Sequence, residues 1–325
     1  MRVAVKIILP VLLVFFHPFS GPAYPLAGPM EIKNQFPLFL HLNTPILETA
    51  AIQDSFSVQL SYSSIFFLRN SPRWSVQMDM EWAELNFRLR KTVSNSLELS
   101  VDLPILSFNS GFMDNGLDWY HSTFGFPDYG RSTRPANQFL YRLIKDQTLI
   151  VEGESGKVGL GDLKISGKQV LSKIDNQPFI SLKGVVELPT GDPDKGYGNG
   201  SLDLGLFFQV EKKTAQRFQA TGNLGLVVPG NLKAYRTIEL KTYYFGGIGL
   251  EAAVGKNFSF LGQISAQTSP FPETGIGSLD NPAVLLSIGG RYYRKRNYFE
   301  LSLTEDLNTS GAPDFIINFS FKRTF

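Results

Sequence analysis

His121 lies beside Ser122 and close to Asp118, the residue types of a nucleophilic hydrolase gathered in one short stretch. A base must face its nucleophile across space, and such triads are recognised by geometry rather than by proximity in sequence. His41 stands before the first strand-like segment, away from any candidate nucleophile. No catalytic residue is therefore expected. Gly159–Asp162 reads GLGD, but the helix and lysine that a phosphate loop requires do not follow it. Asp192 and Asp194, in TGDPDKGYGNG, offer oxygens suited to Ca²⁺, yet their spacing matches no calcium loop and reads as a solvated turn. Neither a metal nor a cofactor is expected.

A larger set of charges obeys a period of two. Glu84, Arg88 and Arg90 alternate with Ala83, Leu85, Phe87 and Leu89, and Glu98 and Asp102 alternate with Leu97, Leu99, Val101, Leu103 and Ile105. Asp162, Lys164 and Lys168 oppose Leu163 and Ile165, while Lys183 and Glu187 oppose Ile180, Leu182, Val186 and Leu188. Asp203 opposes Leu202, Leu204, Leu206 and Phe208, and Glu251, Arg291 and Glu300 hold the same place in later segments. Successive strand side chains point to opposite faces, so each segment has an apolar face and a polar one. A soluble sandwich would turn the charges outward; a membrane barrel would turn them into its lumen. Because a Lys or Arg at the lipid midplane costs about 2–4 kcal/mol, a barrel must carry these residues inside. They either line a water-filled pore of mixed charge or pair across the interior and fill it, and both arrangements stay open at this point.

Strands must position these charges. Alternating segments recur from about residue 54 to the C-terminus. Short connections at Thr92–Asn95, Ser172–Gln177, Glu211–Gln216, Lys256–Asn257 and Arg294–Asn297 interleave with long ones at Asn109–Lys157, Pro189–Gly200, Pro229–Lys241, Ser269–Asn281 and Asn308–Pro313. Short turns belong to the periplasm and long loops to the outside, so the expected fold is all-β: a transmembrane up-and-down antiparallel β-barrel of about twelve strands, with both termini periplasmic. Gln138–Val151 is also strand-like, and a hairpin within the first long loop keeps the strand number even. The same loop gathers Trp119, Tyr120, His121, Phe124, Phe126, Tyr129 and Arg131 among glycines, which suits a constriction or ligand clamp at the barrel mouth, or packing on its rim. Trp74, Trp82, Tyr243, Tyr244, Tyr292, Tyr293 and Tyr298 lie near strand ends, where interfacial aromatic girdles sit. The last segment places Phe315, Ile317, Phe319 and Phe321 on one face and ends on Phe325, the pattern of a barrel-insertion signal addressed to the assembly machinery.

Composition sets bounds on these readings. At 325 residues the chain holds one large β domain or two ordinary ones. No apolar run beyond the N-terminus approaches the ~18–20 residues of a spanning helix, so among membrane-spanning folds only a closed barrel is left. The 31 basic and 29 acidic residues create no field for nucleic acid. The absence of cysteine excludes disulfides, a thiolate nucleophile and a lipidated N-terminal Cys. Arg2 and Lys6, the apolar run Ile7–Phe19, and small residues at Gly21, Ala23, Ala27 and Gly28 form the layout of a secretory signal over 1–27, cleaved after Ala23 or Ala27. Residues 28–53 then form an N-terminal periplasmic or plug segment, and 54–325 the barrel.

Three stretches resemble one family. They are GPMEIKNQFPLFLHLNTPILETA at Gly28–Ala50; DLPILSFNSGFMD with the following WYHSTFGFPDYGR loop within Asp102–Arg131; and GLGDLKISGK at Gly159–Lys168 with the Leu-Pro-Thr-Gly loop at Leu188–Gly191. Together they resemble the proteobacterial outer-membrane proteins grouped as domain of unknown function 3187, over nearly the whole mature chain. A related Gly-x-Gly-Asp start is seen in barrels linked to catabolism of aromatic compounds. The resemblance implies an outer-membrane location and carries over no reaction. The expected partners are outer-membrane lipid, the assembly machinery and a small solute of unknown identity. The expected role is a narrow or gated channel, with a lipid-acting enzyme or a structural or adhesive barrel as alternatives.

Overall fold

The period of two becomes a closed wall. The computed structural model describes residues 26–39, 45–124, 134–172, 179–215, 217–308 and 310–325. Its strands begin with β1 (Ser55–Asn70), β2 (Trp74–Thr92) and β3 (Leu97–Asn109), followed by helix α1 (Asp114–Phe124). Next come β4 (Leu140–Lys145), β5 (Thr148–Glu152), β6 (Lys157–Leu160), β7 (Leu163–Ser172), β8 (Phe179–Leu188), β9 (Asp203–Ala215) and β10 (Phe218–Val228). The ribbon β11 (Leu232–Lys233) and β12 (Thr237–Ile238) precedes β13 (Tyr243–Ala253) and β14 (Phe258–Gln267). A short helix α2 (Gly277–Asp280) leads into β15 (Ala283–Arg294), β16 (Asn297–Asp306) and β17 (Phe315–Thr324).

Twelve of these strands form an antiparallel ring in the order β1-β2-β3-β7-β8-β9-β10-β13-β14-β15-β16-β17. The ring closes through β17 on β1, from Ser55↔Thr324 to Ser64↔Phe315. Closure leaves no unpaired edge, which is what lets strands cross lipid. Residues Gln138–Val151 contribute the hairpin β4–β5, which pairs with Trp74–Asp79 of β2 and extends the sheet above the ring. At the opposite end the connections are short; Gly255 enters one of them with φ +85, a conformation that favours glycine. Residues 211–215 of the expected turn Glu211–Gln216 instead extend β9, while Gln216, residues 173–177 of the turn Ser172–Gln177 and residues 1–25 of the expected signal lie outside the described residues.

The outer wall is apolar around the ring. Leu60, Leu89, Leu103, Leu206, Leu224, Ile248, Phe260, Leu301 and Phe319 all stand exposed there. Soluble monomers rarely leave a contiguous apolar belt around the whole molecule open to water. Hydrocarbon is the solvent it fits, and the protein is an outer-membrane barrel.

The wall changes phase at one level. On β2 the outward residues Ala83, Leu85, Phe87 and Leu89 are apolar, but above Ala83 the inward ones are: Trp82, Met80, Met78, Val76 and Trp74 are all buried. The same exchange occurs on β1 between Tyr62 and Ile65, and on β3 between Ile105 and Leu106. Tyr62, Ala83 and Ser107 are cross-strand partners, so the switch runs level across three strands. Below it the barrel obeys the rule for lipid, apolar out and polar in. Above it the rule for water takes over. The upper interior is accordingly a hydrophobic core of strand residues and loop residues such as Phe271, Ile276 and Leu279.

The interior, this core for Trp74, Trp82 and Tyr243 and the surroundings of Arg291 for Tyr293 and Tyr298, corrects the expected aromatic girdle. Trp74, Trp82, Tyr243, Tyr293 and Tyr298 are buried inside, and only Tyr244 and Tyr292 of that set are exposed on the outer wall. They point inward because they sit on the inward parity of their strands, where interior packing rather than the membrane surface receives them.

Candidate functional site

The lumen is occupied by residues 26–39 and 45–52. Lys33 and Ile46 form an antiparallel bridge, so the segment enters, turns and returns before β1 begins. Its tip reaches the upper core: the Phe36 ring lies 4.9 Å from Phe39 and 5.4 Å from Phe67, and Phe39 lies 6.2 Å from Phe271. Its lower part meets the charged half of the wall.

All fourteen charged residues singled out above sit on the inner wall. Thirteen are buried, and Lys164 is nearly so. The structure divides them into three groups. In the first, Glu31 of the segment meets Arg88 at 2.5 Å, Arg90 at 2.7 Å and Lys322 at 2.8 Å. Glu48 meets Arg90 and Lys183, each at 2.7 Å. Lys168 donates to Thr49 O at 3.0 Å and lies 3.6 Å from Glu98, while Asp102 pairs with Arg88. Glu211, bonded by the Thr49 hydroxyl, completes this group. At its upper border Lys33 meets Glu84 at 2.6 Å.

In the second group Arg291 joins Glu251 at 3.0 Å and Glu300 at 2.6 Å, and donates to the carbonyls of Gly28 and Pro29. Glu251 in turn accepts from the backbone N–H of Ala27 and Gly28. In the third, carboxylates anchor outer loops. Asp162 accepts from Gly191 N and Asn199 N, and Asp203 accepts from Asn199 and from Gly230 N. Gly198 passes so close to Asp162 that a Cβ there would lie 2.6 Å from the carboxylate. The GLGD stretch thus ends on a loop rivet. Glu187 stands 3.6 Å from Lys164. Asp192 accepts from Asp194 N within its own turn.

Electrostatics keeps the two carboxylates of the segment charged. Burial would raise the Glu48 carboxyl, but Lys183, Arg90, Lys168 and Arg88 outweigh it and hold it well below the usual carboxylate range. Glu31 is treated alike, with burial opposed by Arg90, Lys322 and Arg88. Lys33 is pulled down by burial, against the pull of Glu84. Between the segment and the wall, beside Glu31, Glu48, Arg88, Asp102 and Lys183, a cavity of about 40 Å³ is left. With ~10–15 Å³ needed per water, it has room for a few waters.

The described start of the long first loop, through α1, docks away from this space. Glu81, on the outward parity of β2, accepts from Phe112 N, Met113 N and the Tyr62 hydroxyl. Arg134 pairs with outward-facing Asp79 at 2.5 Å. Phe112 packs its ring 5.5 Å from that of Tyr62, on the outer wall at the level of the phase switch. Trp119, expected in a clamp, therefore sits on a helix anchored outside the lumen and is exposed; the loop docks outward because β2 offers it two acids there. The side chains of Asp118, Tyr120, His121 and Phe124, and residues His41, Phe126, Tyr129 and Arg131, lie outside the described residues. The Ser122 hydroxyl donates to Trp119 O. Since α1 starts where the apolar belt ends, brominated acyl chains are expected to quench Trp119 and to spare Trp74 and Trp82, which are buried. A Trp119→Phe variant should lose most of the quenching; unchanged quenching would place α1 away from lipid.

Lys322 and Glu211 escaped the sequence reading although their parity was visible. Lys322 follows Phe319 and Phe321 of β17, of which Phe319 is exposed, and marks the opposite face. Phe315, Ile317 and Phe321 share the outward parity.

The barrel is similar to the COG4313 outer membrane channel from Pseudomonas putida F1, with a TM-score of 0.57 at 13% identity over 85% of this chain and 96% of that one. It also matches the NanC porin, with a TM-score of 0.47 at 6% identity over 83% of this chain and 98% of that one. The KdgM porin in complex with disordered oligogalacturonate matches with a TM-score of 0.46 at 6% identity, over 83% and 99%. These are channels and porins rather than enzymes. Among curated proteins no relative matches. The profile of one family spans residues 5–325, and the chain belongs to that family, Protein of unknown function (DUF3187).

Proposed function

We propose that this barrel is a gated channel for small solutes in which residues 28–39 and 45–52 close the lumen and must shift for passage. The observation that carries this reading is how the segment is held. Met30 and Ile32 pack on Leu261 of the wall, but at Glu31, Glu48 and Thr49 the segment is held by ion pairs and hydrogen bonds. Such contacts exchange for water when the segment moves, whereas the 40 Å³ left with it in place has room for only a few waters. The fold shared with an outer membrane channel supports the reading. We further read residues 1–27 as a secretory leader, the C-terminal strand as the address for the assembly machinery, and the chain as a non-enzyme.

A built-in crosslink tests the gate. A Cβ added at Gly249 on β13 would lie 3.2 Å from Pro29 Cβ, close to the ~3.5–4.5 Å of a disulfide. The chain has no other cysteine, so the pair in Pro29→Cys/Gly249→Cys has no competitor. In planar bilayers the oxidised variant is expected to be silent in KCl, and reduction should restore discrete steps like those of the wild type. Equal conductance in both states would exclude the segment as the gate, and silence of the wild type would exclude the channel.

A further inference from the structure

We propose that the gate is a tethered mimic of the solute, and that the channel admits small carboxylates, which displace Glu31 and Glu48 from the basic wall. The inference rests on the channel reading above and adds the substrate class to it.

Charge placement carries the argument. In the lower lumen, Arg88, Arg90, Lys168, Lys183 and Lys322 converge from four strands, β2, β7, β8 and β17. The wall itself answers them with three carboxylates, Glu98, Asp102 and Glu211. The remaining two negative charges come from the segment. Both reach Arg90, Glu31 on one terminal nitrogen and Glu48 on the other, at 2.7 Å each. A guanidinium presents this fork to carboxylates, so the site recognises a shape as well as a sign.

The other two groups of the lumen behave differently. Arg291 is met by wall acids, Glu251 and Glu300, and draws only backbone carbonyls from the segment. Lys164 is met by Glu187. When the segment moves, those groups keep their partners. Arg90 and Lys183 do not: their closest carboxylates leave with Glu31 and Glu48. Lys33 leaves as well and frees Glu84, one step above. The emptied lower lumen therefore exposes a cationic patch beneath a single acid. Cations stripped of partners in a confined space attract anions strongly, and a carboxylate solute replaces what was lost.

The probe is succinate, with uncharged succinamide of nearly the same size and the dication putrescine as controls. In wild-type bilayers succinate is expected to raise the open probability in KCl, while succinamide leaves it unchanged. In proteoliposomes of the Glu31→Gln/Glu48→Gln variant, succinate should enter several-fold faster than succinamide, and putrescine slowest. Adding Arg90→Gln to that variant should remove the preference. Heat-modifiable gel mobility verifies that each variant is a folded barrel. A conducting variant that treats the three solutes alike, or favours putrescine, overturns the carboxylate class and leaves the channel reading standing. A folded variant that passes neither solutes nor KCl overturns both.

Discussion

Replacing Arg291 by alanine is expected to cost the barrel about 3–5 kcal/mol, the range found when one partner of a buried ion pair is removed and the other charge stays behind. Arg291 is fully buried between β13 and β16, forks onto Glu300, reaches Glu251 at 3.0 Å, and stacks its guanidinium 4.8 Å from the Tyr298 ring centre. It also holds the carbonyls of Gly28 and Pro29, so the same substitution loosens the start of the lumenal segment. Arg291→Lys restores the charge but not the fork and should recover only part of the loss. The cost arises from orphaned acids, so Glu251→Gln/Arg291→Met/Glu300→Gln is expected to be more stable than Arg291→Ala alone. Urea midpoints read from heat-modifiable gel mobility measure all three. An Arg291→Ala loss below ~1 kcal/mol, the value of an exposed pair, would show that the triad is wet and that the lumen is open beside it.

The sequence made the lower half of this barrel readable and left the upper half obscure, for a physical reason. Charges such as Lys164, Lys168, Lys183 and Glu187 have one tolerable face in lipid, so parity alone assigns them to the interior. Above the phase switch neither face is in lipid. Trp74 and Trp82 then look like interfacial anchors in sequence and prove to be core residues. The signal that separates the two cases was present: apolar residues occupy even positions from Trp74 to Trp82 and odd positions from Ala83 to Leu89. Such a change of phase inside one unbroken strand marks the place where the wall leaves the membrane.

The lumenal segment was less readable still. Glu31, Lys33 and Glu48 show no periodicity, since the segment forms only the Lys33–Ile46 bridge, and its partners lie on strands up to 291 residues away in sequence. Nothing local announces that Lys322 will meet Glu31. The first long loop misled in the opposite way. Aromatics and glycines suggested the barrel mouth, whereas Asp79 and Glu81, two acids on the outward parity of β2, hold Phe112, Met113 and Arg134 at the two described ends of the loop outside. A carboxylate on the outward parity just beyond the belt was the available clue.

The membrane assignment makes its own strong prediction. Ile248 lies midway along β13 on the outer wall, is 67% exposed, and pairs across to Ile264 of β14. If that surface faced water, Ile248→Arg would change stability by no more than ~0.5 kcal/mol, as exposed substitutions do. Facing the middle of a bilayer, it is expected to lose about 2–4 kcal/mol. Depth separates this effect from simple loss of packing. Tyr244, also outward but at the end of the same strand, should tolerate arginine at a cost of about 0–1 kcal/mol. Both are measured by reversible unfolding into phospholipid vesicles, since a detergent micelle deforms around a charge and blurs depth. A small loss at Ile248, or equal losses at the two positions, would mean that the belt packs against protein and not hydrocarbon. The inward assignment of Arg88, Lys183 and their partners would then no longer follow from the cost of placing charge in lipid.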